Sequence, residues 1–331
     1  MILVTGGTGL VGCHLLNLLV NKNKKVVALY RKNSNLEKVK KVFSTYSKNS
    51  DEIFSKINWV EGDINDLESL KNIFEDIEEV YHCAAFISFD KKDLKAMNKI
   101  NVEGTANMVN FSIDFNVKKF CYVSTIAAIG LSTNKFTNEE TDWLDNSNPY
   151  SLTKKNAEME VWRGISEGLN ATIVNPGVII GSGFWKRGSG AFITQISRGM
   201  NYYPPGSTGF ICVKDVVKIM RDLMDKNIFS ERFLLVSENW TQKDFIFSVC
   251  NHLNLKTPQK KASKSLMILA LILDAVRSFF LNKRRRLSSA IIESSHSKNK
   301  YSNKKITSAL DYKFIEIEKS IKETCKNYKL N

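Results

Sequence analysis

"MILVTGGTGLVGCHLLNLLV", Met1–Val20, places two apolar runs on either side of a loop of glycine and threonine. Ile2 to Val4 reads as a short buried strand, and Leu10 to Val20 carries apolar residues at helical spacing. Between them Gly6, Gly9 and Gly12 form a G-x-x-G-x-x-G arrangement. Glycine there lets the chain turn sharply and lets backbone N–H groups approach a pyrophosphate at a helix N-terminus, where the dipole favours negative charge. Gly12 also lets the helix lie close on the strand. A glycine-rich turn without a ligand would use the same residues. The order strand, turn, helix favours the nucleotide.

Further apolar runs of strand length follow at Val26–Leu29, Ile57–Val60, Val80–Cys83, Phe120–Val123 and Thr172–Val174. Helix-compatible segments separate them, among them Leu67–Ile77, Asp93–Phe115 and Tyr150–Glu167. Strands alternating with helices predict an α/β fold, a Rossmann-type doubly wound parallel sheet covered on both faces. Beyond Asn175 the alternation fades, and glycines and aromatics crowd "GSGFWKRGSGAFITQISRGMNYYPPGSTGF". A nucleotide-binding domain over 1–175 and a smaller substrate lobe over 176–331 are therefore expected, with segments crossing between them.

The 331 residues are 43% hydrophobic, enough for a sizeable core. Six cysteines, none in C-x-x-C spacing, read as reduced thiols of a cytoplasmic protein, and no secretory signal is expected. Four scattered histidines give no metal site. The net charge of +14 suits a solvated basic face, and no nucleic-acid partner is expected. The apolar stretch "SLMILALILDAVRSFFL" is shorter than the ~20 residues that span a bilayer and is interrupted by Asp274 and Arg277. It reads as a helix packed on the second lobe. The competing expectation is peripheral membrane contact through residues 266–286, helped by the Lys283–Arg286 cluster.

Tyr150 and Lys154 form Y-x-x-x-K in "NPYSLTKKNAE", four residues apart on one helical face, with Pro149 suited to the helix start. An ammonium beside a phenol favours the phenolate, and this spacing predicts a Tyr150 pKa drawn down by Lys154. Upstream, "CYVSTIAAIG" is a strand ending in Ser124 and Thr125 at the carboxyl edge of the sheet, where ligands bind in open α/β folds. A hydroxyl there can bind the oxygen of a carbonyl or alcohol while Tyr150 moves its proton.

Together these residues resemble the extended short-chain dehydrogenase/reductase family, the NAD-dependent epimerase/dehydratase superfamily, from Met1 to about Ser237. "TGGTGLVG" is similar to the family's cofactor loop and implies contacts from Gly6, Thr8, Gly9, Leu10, Val11 and Gly12. "EGDIND" resembles the adenine-contacting element, at Asp63 and Ile64; "YHCAA" resembles the strand end beside the cofactor, at Cys83, Ala84 and Ala85. "NVEGT" matches the helix motif that brings Asn101 near the site, and "VNPGVIIG" the segment whose Pro176, Gly177 and Val178 pass the nicotinamide. The resemblance implies a catalytic set of Thr125, Tyr150 and Lys154, with Lys154 also holding the nicotinamide ribose and Ser124 at the cofactor. The family's spacing to a glycine, here Gly130, selects Thr125 as the active hydroxyl. Sugar dehydratases of the superfamily usually carry an acidic pair just after it; Ile126 and Ala127 stand here. The sequence looks closer to the dihydroflavonol-reductase and 3β-hydroxysteroid-dehydrogenase branch. His82 and Cys83 are expected to be structural.

The expected function is an NAD(P)-dependent oxidoreductase moving hydride between nicotinamide and a secondary alcohol or ketone. A nucleotide-sugar epimerase with retained cofactor and a non-catalytic NAD(P)-sensing regulator are the alternatives. Tyr30 ends its strand where NAD-preferring relatives often carry an acid, and Arg31 and Lys32 follow, so NADP(H) is favoured over NAD(H). Phe86, Phe89, Trp185, Phe192, Tyr202 and Tyr203 are the candidate walls of an apolar substrate pocket. Lys186, Arg187 and Arg198 are the residues that could instead meet a sugar diphosphate. A homodimer is expected.

Overall fold

The computed structural model describes residues 1–330 apart from 23, 133–135, 144–147, 282–284 and 286. Twelve strands are found among them: β1 Ile2–Thr5, β2 Val26–Tyr30, β3 Ile57–Glu61, β4 Glu79–His82, β5 Lys119–Val123, β6 Ala171–Pro176, β7 Val178–Ile180, β8 Tyr202–Tyr203, β9 Ser207–Cys212, β10 Glu231–Leu235, β11 Glu238–Thr241 and β12 Lys260–Lys261. Seven form one parallel sheet in the order β10-β6-β5-β4-β1-β2-β3. From β3 to β6 this is the doubly wound 3-2-1-4-5-6 order.

The strands are apolar at most of their positions because both faces of the sheet are covered. In β1, Ile2 and Val4 enter a core with Leu15, Leu19, Phe43 and Leu223, while Leu3 enters the opposite core with Phe74, Val109, Phe120 and Val161. The helices Leu10–Val20, Leu36–Phe43 and Val213–Asp225 cover the first face. Leu67–Phe74, Gly104–Asp114 and Pro149–Ser166 cover the second. The helix Pro149–Ser166 starts where Pro149 predicts: Asn148 caps it, its Oδ1 accepting the Tyr150 N–H at 3.0 Å.

The sheet does not end at residue 175. Its seventh strand, β10, arrives from Glu231–Leu235 and pairs with β6 from Glu231↔Thr172 to Leu235↔Pro176. The helix before it, Val213–Asp225, packs on Leu10–Val20. The rest of the second half builds a lobe on the β11-β9-β7 sheet, with Ile193, Phe210, Phe245, Val249 and Ile321 in its core.

The apolar stretch near residue 270 forms the helix Lys264–Phe280, which packs on the helix Ser289–His296. It does not bury its apolar side as expected of a helix packed on the second lobe: Leu269, Ile272, Leu273, Val276 and Phe280 are all exposed. Of the Lys283–Arg286 cluster, Lys283, Arg284 and Arg286 lie outside the described residues, as does Asn331.

Candidate active site

The strand order reverses between β1 and β4, so their carboxyl ends open into a crevice. Gly6, directly after β1, has φ +67°, and a Cβ there would stand 2.7 Å from the backbone of Cys83 and Ala84 at the end of β4. A Cβ on Gly12 would come within 2.3 Å of the Gly6 carbonyl oxygen. Only glycine lets the loop close this tightly. The helix Leu10–Val20 then begins at Gly9 with no side chain capping it and no acid in its first turn. Its first N–H groups stay open to an anion, which fits the diphosphate of a nicotinamide cofactor.

Thr5 and His82 lash the two strands together. The Thr5 hydroxyl accepts the Ala84 N–H (3.2 Å) and donates to His82 Nδ1 (2.7 Å). Thr105 donates its own proton to the Asn101 carbonyl (2.6 Å), so it takes the Nε2 hydrogen of His82 (3.0 Å). Those roles fix a neutral imidazole, in keeping with burial, which lowers the His82 pKa to about 3. Burial also pushes the Cys83 thiol up to about 12, leaving it a wall residue and no nucleophile.

Beyond β2, Arg31 and Lys32 are both exposed, and among the described residues no carboxylate pairs with either. Ser34 closes a turn on Arg31, its N–H donating to the Arg31 carbonyl at 2.7 Å. Asp63 shapes its own loop, Oδ1 accepting the Asn65 N–H at 2.9 Å. Ile64 is buried, and its carbonyl takes Asn107 Nδ2 at 3.0 Å.

Thr125 follows β5 by two residues and caps a short turn, Ile126–Ala128, that packs on the helix Pro149–Ser166. Its Oγ1 accepts the Ala127 N–H at 3.2 Å, which leaves the hydroxyl proton to donate outward. Tyr150 stands in the first turn of that helix, half-buried, with the Phe89 ring edge-on at 6.1 Å between centroids. Lys154, one turn on, is buried, yet it does not serve Tyr150 as the spacing predicts. Its Nζ donates to the Tyr122 hydroxyl (2.6 Å) and the Val123 carbonyl (2.8 Å). Burial therefore dominates at Tyr150 and raises its pKa, holding the phenol in its proton-donating form.

Burial lowers the Lys154 pKa to about 7, opposed by the charge of Glu158. Between that value and the ordinary lysine range the unfolded chain binds a proton that the folded chain does not, so stability rises with pH. Relative to Lys154→Met, the wild type should gain stability from pH 7 to 10 with a slope of up to ~1.4 kcal/mol per unit. Urea unfolding across that range checks this; parallel curves for the two proteins would contradict it.

The stretch Asn98–Glu103 is a π-helical turn, a feature common at functional sites. Within it Asn101 is fully engaged by protein: Oδ1 takes the Phe86 N–H (2.7 Å), and Nδ2 donates to the Phe86 carbonyl (3.0 Å) and Thr153 Oγ1 (3.1 Å). Its side chain thus holds the Phe86–Phe89 loop to the helix of Tyr150, in place of the cofactor contact expected of it. Ser124 is likewise turned away from that role, because its hydroxyl donates to the buried Glu158 carboxylate at 2.7 Å. Glu158 also accepts from Asn175 Nδ2 (2.9 Å) and Arg232 Nη1 (3.2 Å). Pro176 ends β6, Gly177 donates its N–H to the Leu235 carbonyl at 3.0 Å, and Val178 opens β7.

Of the second-lobe aromatics expected as pocket walls, Trp185, Phe192 and Tyr203 pack against the lobe's own core. Phe192 stacks on Phe245, which stacks on Phe210, with centroids 5.5 and 5.0 Å apart. Trp185 meets Tyr328 edge-on at 5.0 Å, and Tyr203 meets Phe247 at 6.0 Å. They belong to the core of the lobe, sealed by the helices Gln242–Leu253 and Ile317–Lys329. Tyr202 is exposed on the short β8 strand. The residues that sequence reasoning missed are Tyr122, Thr105, Thr153 and Glu158. For Glu158 a signal existed: it continues the four-residue spacing of Tyr150 and Lys154.

Comparison with known proteins gives one consistent result. The model of the NAD dependent epimerase/dehydratase family matches residues 2–233. The chain is 29% identical over 245 residues, 72% of its length and 70% of the relative's, to sterol demethylase protein B of Methylococcus capsulatus. It is 26% identical over 250 residues, 72% and 70% of the two chains, to a UDP-glucose 4-epimerase of Vibrio cholerae. Among solved structures, that of gox2253 shares the fold with a TM-score of 0.82 at 24% identity, covering 100% of this chain and 98% of the other.

Proposed function

Because the chain belongs to the NAD-dependent epimerase/dehydratase family, we propose that it is an oxidoreductase interconverting a secondary alcohol and a ketone of bulky, apolar character. The carrying observation is the Phe89 ring set edge-on to the Tyr150 phenol. An aromatic wall at the proton donor favours an apolar substrate over a sugar. Ile126 and Ala127 after Thr125 add no carboxylate. The name of the Methylococcus relative, a sterol demethylase protein, supports a substrate of that character.

In this reading the Thr125 hydroxyl donates to the substrate oxygen and Tyr150 passes it a proton or removes one. Lys154, braced by Tyr122, lies one turn along the same helix and supplies an N–H donor for the nicotinamide ribose. When bound, the nicotinamide gives or takes hydride at the substrate carbon. The glycine loop and the open helix N-terminus would hold the diphosphate. Absorbance of reduced cofactor in the presence of a panel of carbonyl compounds tests the reading directly; oxidation with steroid- or flavonoid-sized ketones is expected. Stabilisation by UDP- or dTDP-sugars alone, abolished in Arg187→Ala, would overturn it in favour of the epimerase. Exposed Lys186 and Arg187, unpaired among the described residues just before the helix Gly188–Ser197, are the observation on that side.

We further propose that NADP(H) is preferred, since Arg31 is exposed after β2 and free of any carboxylate among the described residues. A guanidinium on a 2′-phosphate makes paired charge-assisted bonds. Arg31→Ala should weaken NADPH about tenfold to a hundredfold and leave NADH unchanged in a fluorescence titration. Equal affinities for both cofactors, unmoved by the substitution, would remove the preference.

A further inference from the structure

The helix Lys264–Phe280 is amphipathic in the wrong sense for a protein interior. Its inward side carries Asp274, buried, which accepts from Arg277 Nη2 (2.7 Å) and from the Leu287 N–H (3.1 Å). Its outward side carries Leu269, Ile272, Leu273, Val276 and Phe280, between 48% and 78% exposed. Those positions recur at i, i+3, i+4, i+7 and i+11, one continuous stripe along a helix of roughly 25 Å. A soluble surface rarely leaves so much apolar area together without an occupant. Among the described residues no helix is long and apolar enough to cross a membrane.

The charge around the stripe identifies the occupant. Residues 256–286 hold nine lysines and arginines against a single acid, Asp274, already spent on Arg277. Lys256, Lys260, Lys261 and Lys264 are exposed at the N-terminal end, and Arg285 is exposed beyond the C-terminal end. An apolar stripe between two cationic ends matches the boundary of an anionic bilayer, where chains take the apolar face and headgroups take the cations. A second copy of the chain would bring the same positive ends into repulsion. We propose that this helix lies in the surface of an anionic membrane and holds the protein there.

The test uses the full chain with phosphatidylcholine vesicles and with vesicles containing one-third phosphatidylglycerol. Co-sedimentation is expected with the second, weak with the first, and released by high salt. Lys260→Gln/Lys261→Gln/Lys264→Gln should weaken it on the order of tenfold to a hundredfold. Leu269→Gln/Leu273→Gln should weaken it by at least about tenfold, at unchanged thermal unfolding. If the leucine variant fails to fold, the lysine variant, confined to exposed side chains, decides alone. Protein that stays in the supernatant with both vesicles would overturn the proposal. So would a dimer, seen by light scattering, that Leu273→Gln splits while neither form binds vesicles, since the stripe would then be a seam between copies.

Discussion

Tyr150→Phe is expected to reduce turnover by about 100- to 10,000-fold while leaving the fold and cofactor binding intact. The ring keeps its edge-on contact with Phe89, so packing survives the loss of one oxygen. What disappears is the proton donor, a phenol that burial keeps protonated. Steady-state kinetics on an identified ketone, with cofactor titrated separately, separates chemistry from binding. Near-normal turnover would place the proton transfer elsewhere. Thr125→Val should also be severe and Thr125→Ser mild, because only the first deletes the hydroxyl.

Glu158→Gln should cost about 3 kcal/mol of folding stability, at the lower end of what breaking a buried charge pair costs, because Arg232 keeps 25% of its side-chain surface exposed. The carboxylate joins four places in the fold: the end of β5 through Ser124, β6 through Asn175, β10 through Arg232, and its own helix. Gln retains the shape but leaves the guanidinium with an uncharged partner. Arg232 also donates Nε to the Glu139 carbonyl at 2.8 Å, which keeps it in place. Urea unfolding measures the loss, and an unchanged midpoint would show the network to be ornamental. Replacing both members, Glu158→Gln with Arg232→Met, should recover part of it, since no unpaired charge then remains.

The nucleotide half of the molecule was legible because its signals are local. The glycine loop, the apolar runs of β1 to β6 and the Pro149 helix start each depend on residues close in the chain. β10 was not, because "ERFLL" opens with two charges and is edge-like in composition, yet it is paired along one side by β6. The partner of Lys154 was misread for a related reason. Helical spacing places it beside Tyr150, while the strand crossing beneath supplies Tyr122, a contact of long sequence range. The glycine-rich aromatic segments were read as pocket wall, but their glycines serve close packing: a Cβ on Gly190 would meet the Phe184 carbonyl at 2.4 Å, and one on Gly206 the Ser295 carbonyl at 2.6 Å. Glycines among aromatics do not by themselves tell a pocket wall from a tight seam.

The late arrival of β10 bears on how the chain is made. During synthesis β6 emerges with every residue destined for burial, but its outer edge has no partner until Leu235 has left the ribosome. For that interval the nascent chain presents a strand made for complete burial with open N–H and C=O groups along one edge, the template on which misassembly begins. A fragment stopped at residue 212 would hold that edge open permanently and should precipitate. The interrupted layout thus makes the nucleotide fold a product of nearly three-quarters of the chain, and ties its completion to the lobe built on the β11-β9-β7 sheet.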